Sequence, residues 1–381
     1  MRVAVLGGGY AGLVLTRKLE AELPADVDLV LVDDTGEHLV QHELHRAIRE
    51  PDYFDAITIP LGELVERATV REARVESIDR ESREVDLDDG TLEYDACAVC
   101  LGARADFHGI GGVREHATPL KRPSHARDIR AEFLALLDAG GGTVVVGGAG
   151  LSGVQTAGEL AALAEESGAE AGAHVDVVLL ERDDDVAPGF PGNFRDAVRD
   201  ELRALSVGVR TGVEVVGAGP DEIELDGGAL PYDQFVWTGG VRGPDALGGK
   251  RQDVNATLAL DDHTFAVGDA ARVFDAEGEV APASAQAAVR ATPVAARNVC
   301  EVIAAEREAY EPRFDQWTFE TPGWFISVGD SAVAQLGPEV FTGRMANVVK
   351  SSVGLTYLAD HGSLRGALDV LGHELGEDLS L

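Results

Sequence analysis

An α/β fold laid down twice is what this chain of 381 residues predicts, and three observations predict it. Two glycine-rich turns, Gly7-Gly8-Gly9-Tyr10-Ala11-Gly12 and Gly148-Ala149-Gly150-Leu151-Ser152-Gly153, stand about a domain's length apart. An aliphatic run leads into each, Arg2 to Leu6 and Thr143 to Gly147, and an amphipathic helical stretch follows each. Each unit then repeats one plan. A second strand ends on an acid (Asp33, Glu181), and a later apolar strand runs into glycine (Gly102, then Gly239-Gly240). Repetition of motif order argues for a duplicated fold rather than one domain with a chance second motif.

The turns carry chemistry. In such a turn the first glycine permits a tight strand-to-helix bend and the second lets the backbone approach a pyrophosphate. The third lets the helix pack closely on the sheet, so that unpaired N–H groups at the helix start face the phosphates. A strand before, a helix after and an acid ending the next strand supply the context the motif requires. Both units therefore read as Rossmann-like dinucleotide-binding domains of three-layer ββα type. Two cradles imply two nucleotides, most economically a bound flavin and a visiting nicotinamide.

In order, the first unit continues through a polar loop into a meander, Thr69 to Ile78, Glu84 to Leu87 and Tyr94 to Leu101, broken by the Asp88-Asp89-Gly90 turn. Gly109-Ile110-Gly111-Gly112 and Thr118 to Arg122 suggest a pair of crossing strands between the units. The second unit has a helix through Ala164, a strand to Leu180, a helix from Asn193 to Leu205, and short strands up to Phe235-Val236-Trp237. Thr264 to Val267 forms one more strand, ending in Gly268-Asp269, and Pro282 opens an alanine-rich helix to about Arg307. From 310 the texture changes to aromatic-rich strands (Trp317-Thr318-Phe319, Gly323 to Val328, Ala332 to Leu336) and a weakly amphipathic tail, a small α+β element.

Composition narrows the partners. The formal charge is -35, from 67 acids against 32 bases, and only four of those bases are lysines (Lys18, Lys121, Lys250, Lys350). So acidic a surface suits a halophilic protein in a concentrated-salt cytoplasm, where screening over a few ångströms removes the self-repulsion. It disfavours nucleic acid. No leader precedes the first strand and no run approaches a membrane span, so the chain is expected to be cytoplasmic, at most peripheral on the inner face of the membrane.

Cys97 and Cys100 spell CxxC, but inside an extended apolar run, where residues three apart face opposite sides, so both read as core rather than redox or zinc ligands. His38, His42 and His45 recur at helical spacing, yet no carboxylate or thiol set completes a metal site, and no metal is expected.

Taken together, the first glycine turn, the Gly102-Ala103 strand end, the second turn with Ala157-Gly158-Glu159-Leu160, Gly268-Asp269 and Ala285-Gln286-Ala287-Ala288 resemble type II NADH dehydrogenases over about residues 1 to 350. These are single-chain flavin enzymes of the two-dinucleotide-binding-domain superfamily. The resemblance implies FAD bound by residues 1–115 and 245–310, NADH bound by 116–244, and a C-terminal element, 311–381, at an interface or a membrane surface. Gly7, Gly9 and Gly12 would hold the FAD pyrophosphate, Asp33 the adenosine ribose and Asp269 the ribityl or pyrophosphate region. Tyr10, Ala11, Val75, Gly102, Gly268, Ala285 and Gln286 would complete the flavin site. Gly148, Gly150 and Gly153, with Leu151 and Ser152, would hold NADH, and Glu181 its ribose hydroxyls. A carboxylate there disfavours NADPH, although Arg182 keeps that cofactor open. Gly239 and Gly240 would let the nicotinamide approach the flavin, and the segment His38 to His45 would run close to it.

Gln155, Gln286 and Lys350 are the candidate catalytic residues, with Lys350 as a cation near the flavin and Trp324 and Tyr357 as candidate walls of a quinone slot. The chain departs from the family at three of its points. Gln155 stands where a glutamate handles protons in the family, Arg290 replaces the second glutamine of the quinone motif, and the tail is short and acidic. Flavoprotein disulfide reductases and sulfide-quinone reductases need cysteines that residues 35–60 and the stretch between Cys100 and Cys300 lack. The expected activity is hydride transfer from NADH to FAD and two electrons onward to a quinone. A soluble reductase for ferredoxin or a small acceptor, and a flavin-binding redox sensor, remain open alternatives, as does a homodimer.

Overall fold

The computed structural model describes residues 1–343 and Ala346. Its first sheet starts with β1 (Arg2–Leu6), which leads through the first glycine turn into helix α1 (Tyr10–Glu22) and returns as β2 (Asp28–Asp33). Three further strands join, β3 (Thr69–Glu72), β4 (Ala96–Val99) and, from far along the chain, the strand Thr264–Ala266. All pair in parallel, with β1 central between β4 and β2 and Thr264–Ala266 at the edge beside β4. Such strands are buried on both faces, which is why β1 and β4 read as unbroken apolar runs.

The second sheet has the same five-strand parallel plan. Its centre is β5 (Gly141–Gly147), followed by the second turn, helix α2 (Leu151–Ala171) and β6 (His174–Leu180). Gly208–Arg210 flanks β6, while β7 (Gln234–Trp237) and then Thr118–Pro119 lie on the other side. Each parallel sheet is accompanied by a three-stranded antiparallel sheet, residues 75–93 in the first unit and 215–231 in the second. The ββα duplication is thus physical. The first unit's edge strand comes after the second unit in the chain, so the second is inserted into the first.

Several expectations are corrected. Thr69 to Ile78 is not one strand: at Ala73, whose N–H donates to the Asp33 carbonyl (2.9 Å), the chain leaves the parallel sheet and restarts at Val75 in the antiparallel one. The crossing pair is Arg104–Ala105 against Val241–Arg242, antiparallel, whereas Thr118–Pro119 is an edge strand. Phe107 and Val113 pack in the second unit's core with Phe235 and Trp237, so residues 106–115 belong with that unit rather than the first. Helix α2 runs past Ala164 to Ala171, because the Ala/Glu-rich stretch favours helix until Gly172 (φ 64°) ends it. The long helix α3 (Ala285–Glu308) starts after Ser284, whose hydroxyl caps Ala287 N at 3.2 Å, rather than at Pro282. Trp317 to Phe319 is no strand, since its backbone bonds go to the loop groups Ala256 and Ala276.

The three strands β8 (Gly323–Val328), β9 (Ser331–Leu336) and β10 (Glu339–Thr342) form an antiparallel sheet that packs on α2 and on the helix Gly192–Ala204. A buried ion pair ties the units together. Arg49 Nε lies 2.9 Å from Glu159 Oε2 on α2, with side-chain exposures of 8 % and 1 %, and Arg49 Nη2 reaches Asp330 at 2.7 Å.

Candidate dinucleotide and redox site

The two turns superimpose in their chemistry. Gly7 (φ 102°) and Gly148 (φ 96°) adopt a backbone that side chains rarely tolerate. A Cβ on Gly12 would lie 1.7 Å from Gly7 O, and one on Gly153 lies 1.8 Å from Gly148 O, so each helix presses against its own turn. Gly9 and Gly150 differ. A Cβ there meets nothing within 4 Å, and neither helix start carries a side-chain cap. The first N–H groups of both helices are therefore left to an external acceptor, which is what a pyrophosphate supplies.

The acids are placed in parallel too. Gly8 N donates to Asp33 Oδ2 at 2.8 Å, and Ala149 N to Glu181 Oε2 at 2.7 Å, the middle residue of the turn in each case. The second oxygen of each accepts from the loop beyond, Thr35 N on Asp33 (2.9 Å) and Asp183 N on Glu181 (3.0 Å). Each carboxylate is fixed at the mouth of its turn, with lone-pair capacity left for ribose hydroxyls.

A cavity of ≈ 610 Å³ runs from the first turn through the molecule. Gly7, Gly9, Tyr10, Ala11, Asp33, Val75, Gly102, Gly268, Asp269 and Ala285 line it, together with Leu151, Ser152 and Gln155 from the start of α2. The second unit's glycine turn thus delivers its helix into the first unit's cavity. Its volume is that of a cofactor site, and the open Gly9 cradle, the uncapped helix and the fixed Asp33 fit an extended dinucleotide. Gly268 has no room for a side chain, because an added Cβ would lie 3.1 Å from Ala288 and 3.2 Å from Ala11. Asp269 follows it in a 3-10 turn whose carbonyl accepts from Arg251 Nε at 3.0 Å.

Gly148, Gly150, Gly153, Glu181, Gly239 and Gly240 lie beside this cavity's lining rather than in it. Gly239 and Gly240 sit under Trp237 and His108, where a Cβ would come within 2.5 Å of either ring. Internal packing already demands small residues at both. Gln286 also lies off the lining. Ala285 and Ala288 share the helix face turned to the cavity, and Gln286, about a hundred degrees round, accepts from Thr321 Oγ1 at 2.9 Å. Trp324, half-buried at the edge of the core, packs edge-on to Phe190 (5.2 Å) and against Phe319 (6.1 Å). Lys350 and Tyr357 lie outside the described residues.

The three histidines do not share a helix: residues 37–39 are a strand, 41–43 a 3-10 turn, and a helix begins only at Arg46. His38 Nδ1 bonds Gly8 O (2.9 Å) under the turn, while His42 and His45 line the cavity, His42 bonded to the Tyr10 hydroxyl. Among the described residues no three His, Cys, Asp or Glu side chains are grouped to share a metal ion. Cys97 and Cys100 are free thiols, buried, and burial pushes both well above the usual range, which keeps them protonated.

Two features escaped the sequence. Lys121, otherwise only one of four lysines, lines the cavity, and burial pushes its ammonium down while the Asp269 carboxylate opposes the shift. Its rarity was the available signal. Ser327, on β8, sits behind the cavity wall, where His45 Nε2 and Gln155 both reach it. Nothing local marks it.

Comparison with known proteins gives the family and supports the fold. The family model "Pyridine nucleotide-disulphide oxidoreductase" matches residues 1–292, and the chain belongs to that family. A type II NADH:quinone oxidoreductase from Staphylococcus epidermidis is 28% identical over 334 residues, covering 80% of this chain and 83% of its own. Among solved structures, NDH2 from Plasmodium falciparum in complex with NADH superimposes with a TM-score of 0.82 at 15% identity, over 100% of this chain and 99% of its own. The sulfide:quinone oxidoreductase of Aquifex aeolicus gives 0.76 at 17% identity, over 99% and 96%. At those identities the structures speak for the fold.

Proposed function

We propose that the chain is an FAD-dependent NADH dehydrogenase that delivers two electrons to a quinone. One observation carries the reading. The cavity beginning at the first glycine turn is closed on one side by Leu151, Ser152 and Gln155, the first turn of the helix that the second glycine turn launches. A dinucleotide held at each turn would bring its reactive end to the same space.

FAD, when bound, supplies the two-electron chemistry, accepting hydride from nicotinamide and returning electrons to the acceptor. The chain's own residues do the rest. Gly9 and the start of α1 bind phosphate, Asp33 orients ribose through one oxygen while the other holds Thr35, and Asp269 and Lys121 both line the wall, where burial pushes the ammonium down and the Asp269 carboxylate opposes that shift. Glu181, buried and fixed by Ala149 N, favours the ribose hydroxyls of NADH over a 2′-phosphate. Cys97 is buried in β4, and Cys100, which follows that strand and lines the cavity, is a free thiol that burial pushes well above the usual range, so neither is a ready thiolate for a relay. The relatives named for NADH:quinone oxidoreduction support the acceptor.

No helix among the described residues is long and apolar enough to cross a membrane, and a hydrophobic quinone would be met at a membrane surface. The test is reconstitution with FAD, anaerobic titration with NADH, then addition of menaquinone in concentrated salt. The proposal expects flavin bleaching by NADH and rapid return of colour with quinone. Return of colour with ferredoxin alone would replace quinone by a protein acceptor, and no return with any acceptor would leave a sensor.

A further inference from the structure

Passing two electrons from NADH to a quinone transfers one hydride and consumes one further proton: NADH is oxidised to NAD⁺ and the quinone is reduced to quinol. A titratable side chain beside the redox cofactor is one place to hold that proton. Gln155, the polar residue α2 presents to the cavity, cannot hold it, because an amide does not titrate near neutral pH. Its neighbour can. His45 lines the same cavity and is 3% exposed, and its Nε2 lies 2.7 Å from Ser327 Oγ and 3.3 Å from Gln155 Nε2. Gln155 Nε2 in turn lies 3.2 Å from Ser327 Oγ.

We propose that His45 is the proton-holding group of the flavin cavity, and that Ser327 and Gln155 form a reversible hydrogen-bond set serving both of its protonation states. When His45 is neutral at Nε2, the Ser327 hydroxyl donates to it and the Gln155 amide donates to the Ser327 oxygen. When Nε2 carries a proton, it donates to Ser327 Oγ, and the hydroxyl hydrogen turns to the Gln155 amide oxygen after that amide flips. His45 Nε2 and Ser327 Oγ each keep a partner in either state, which is what a buried group that must gain and lose a proton requires. A carboxylate at 155 would instead favour the imidazolium and shift its loss of a proton to higher pH.

Among the described residues, the charged groups on the elements that meet at His45 are engaged with one another. His42 pairs with Tyr10 and Glu43, Glu43 with Arg46, and Glu159 and Asp330 with Arg49. The segment before the helix Arg46–Arg49, helix α2 and strand β8 thus meet at one imidazole, 282 residues of chain apart at the widest.

This proposal rests on the cavity holding FAD, and the experiment separates the two. The full chain is loaded with FAD and labelled with ¹³C-histidine. NMR then follows the histidine resonances against pH with the flavin oxidised and after dithionite reduction, and His45→Gln assigns the signal. His45 is expected to take up a proton on reduction, its titration moving at least one pH unit higher. The flavin midpoint potential should show a matching change in protons taken up per two electrons, absent in His45→Gln and moved to higher pH in Gln155→Glu. An identical His45 titration in both redox states, or superimposable potential-against-pH curves for His45→Gln and the unaltered chain, overturns the proposal. A chain that takes up no FAD overturns the reading of the cavity as well. One that binds FAD but does not reduce quinone costs only the acceptor, because the NMR and potential readings stand without it.

Discussion

The first and second glycine turns share backbone, register and acid, yet the chain builds different surroundings on them. Around the first turn, walls arrive from many separate stretches, among them those near residues 42, 75, 102, 122, 268 and 284, and enclose the cavity. The second turn contributes only the head of its helix to that space. One cradle is built to keep its ligand, and the other, on our reading, to exchange it. Duplication supplies two binding turns, and what distinguishes a resident from a visitor is the rest of the fold closing over one copy.

Substitution at the two open glycines breaks that comparison most sharply. A Cβ at Gly9 or Gly150 meets nothing, so aspartate at either position fits the apoprotein and can even cap the helix, by roughly a few tenths of a kcal/mol. In the holoenzyme the same carboxylate occupies phosphate space. Gly9→Asp is expected to lower FAD affinity at least 100-fold and give a colourless chain with unchanged melting temperature. Gly150→Asp should stay yellow and raise the NADH KM by an order of magnitude or more. Flavin absorbance and steady-state kinetics read both, and loss of colour in Gly150→Asp would show that the turns do not hold separate ligands.

The joint between the units gives the next effect. Removing one partner of a buried ion pair leaves the other uncompensated, at about 3–5 kcal/mol. Arg49→Met should therefore destabilise the chain by that order and lower its denaturation midpoint, whereas Asp330→Asn, whose own side chain is 83% exposed, should cost less than about 1 kcal/mol. Equal effects would mean that the joint is held by its apolar contacts.

How much of this was readable from residues follows physical range. The turns, their acids and the ββα repeat are local, since glycine, strand and acid fall within about thirty residues, and all were legible. The sheet order is not local, but the apolar run before each glycine pointed to buried parallel strands. What failed depended on tertiary partners. The periodicity of His38, His42 and His45 looked helical because spacing alone cannot see that residues 37–39 pair with 58–60 as a strand. Residues 106–115 went to the wrong unit because Phe107 finds Trp237 only in space. Gln155 was legible as a candidate, but its meeting with His45 and Ser327 was not.

Cofactor choice at the second turn is a smaller effect than either. Glu181→Gln keeps an acceptor for Ala149 N and removes the charge. The ratio of kcat/KM for NADPH over NADH is expected to rise about tenfold, while Asp33→Asn at the equivalent place changes FAD retention and leaves that ratio alone. A ratio that moves with Asp33 rather than Glu181 would reverse the assignment of the two turns.

The smallest effect sharpens the comparison from inside the resident's cavity. Lys121 is held below the ordinary lysine value of 10.5 by burial, against the opposing pull of Asp269. A base whose folded value is depressed binds fewer protons folded than unfolded, so the apoprotein gains stability as pH rises through the interval between the lowered value and 10.5. Lys121→Met should flatten that rise, a change of about 2 °C in melting temperature across the interval. An anionic ligand seated beside the ammonium supplies the charge it lacks and raises its folded value, so the difference between Lys121→Met and the unaltered chain should shrink once FAD is bound. A difference that survives FAD unchanged would place the cofactor's charge away from Lys121, and with it the polar end of the molecule at the far side of the cavity.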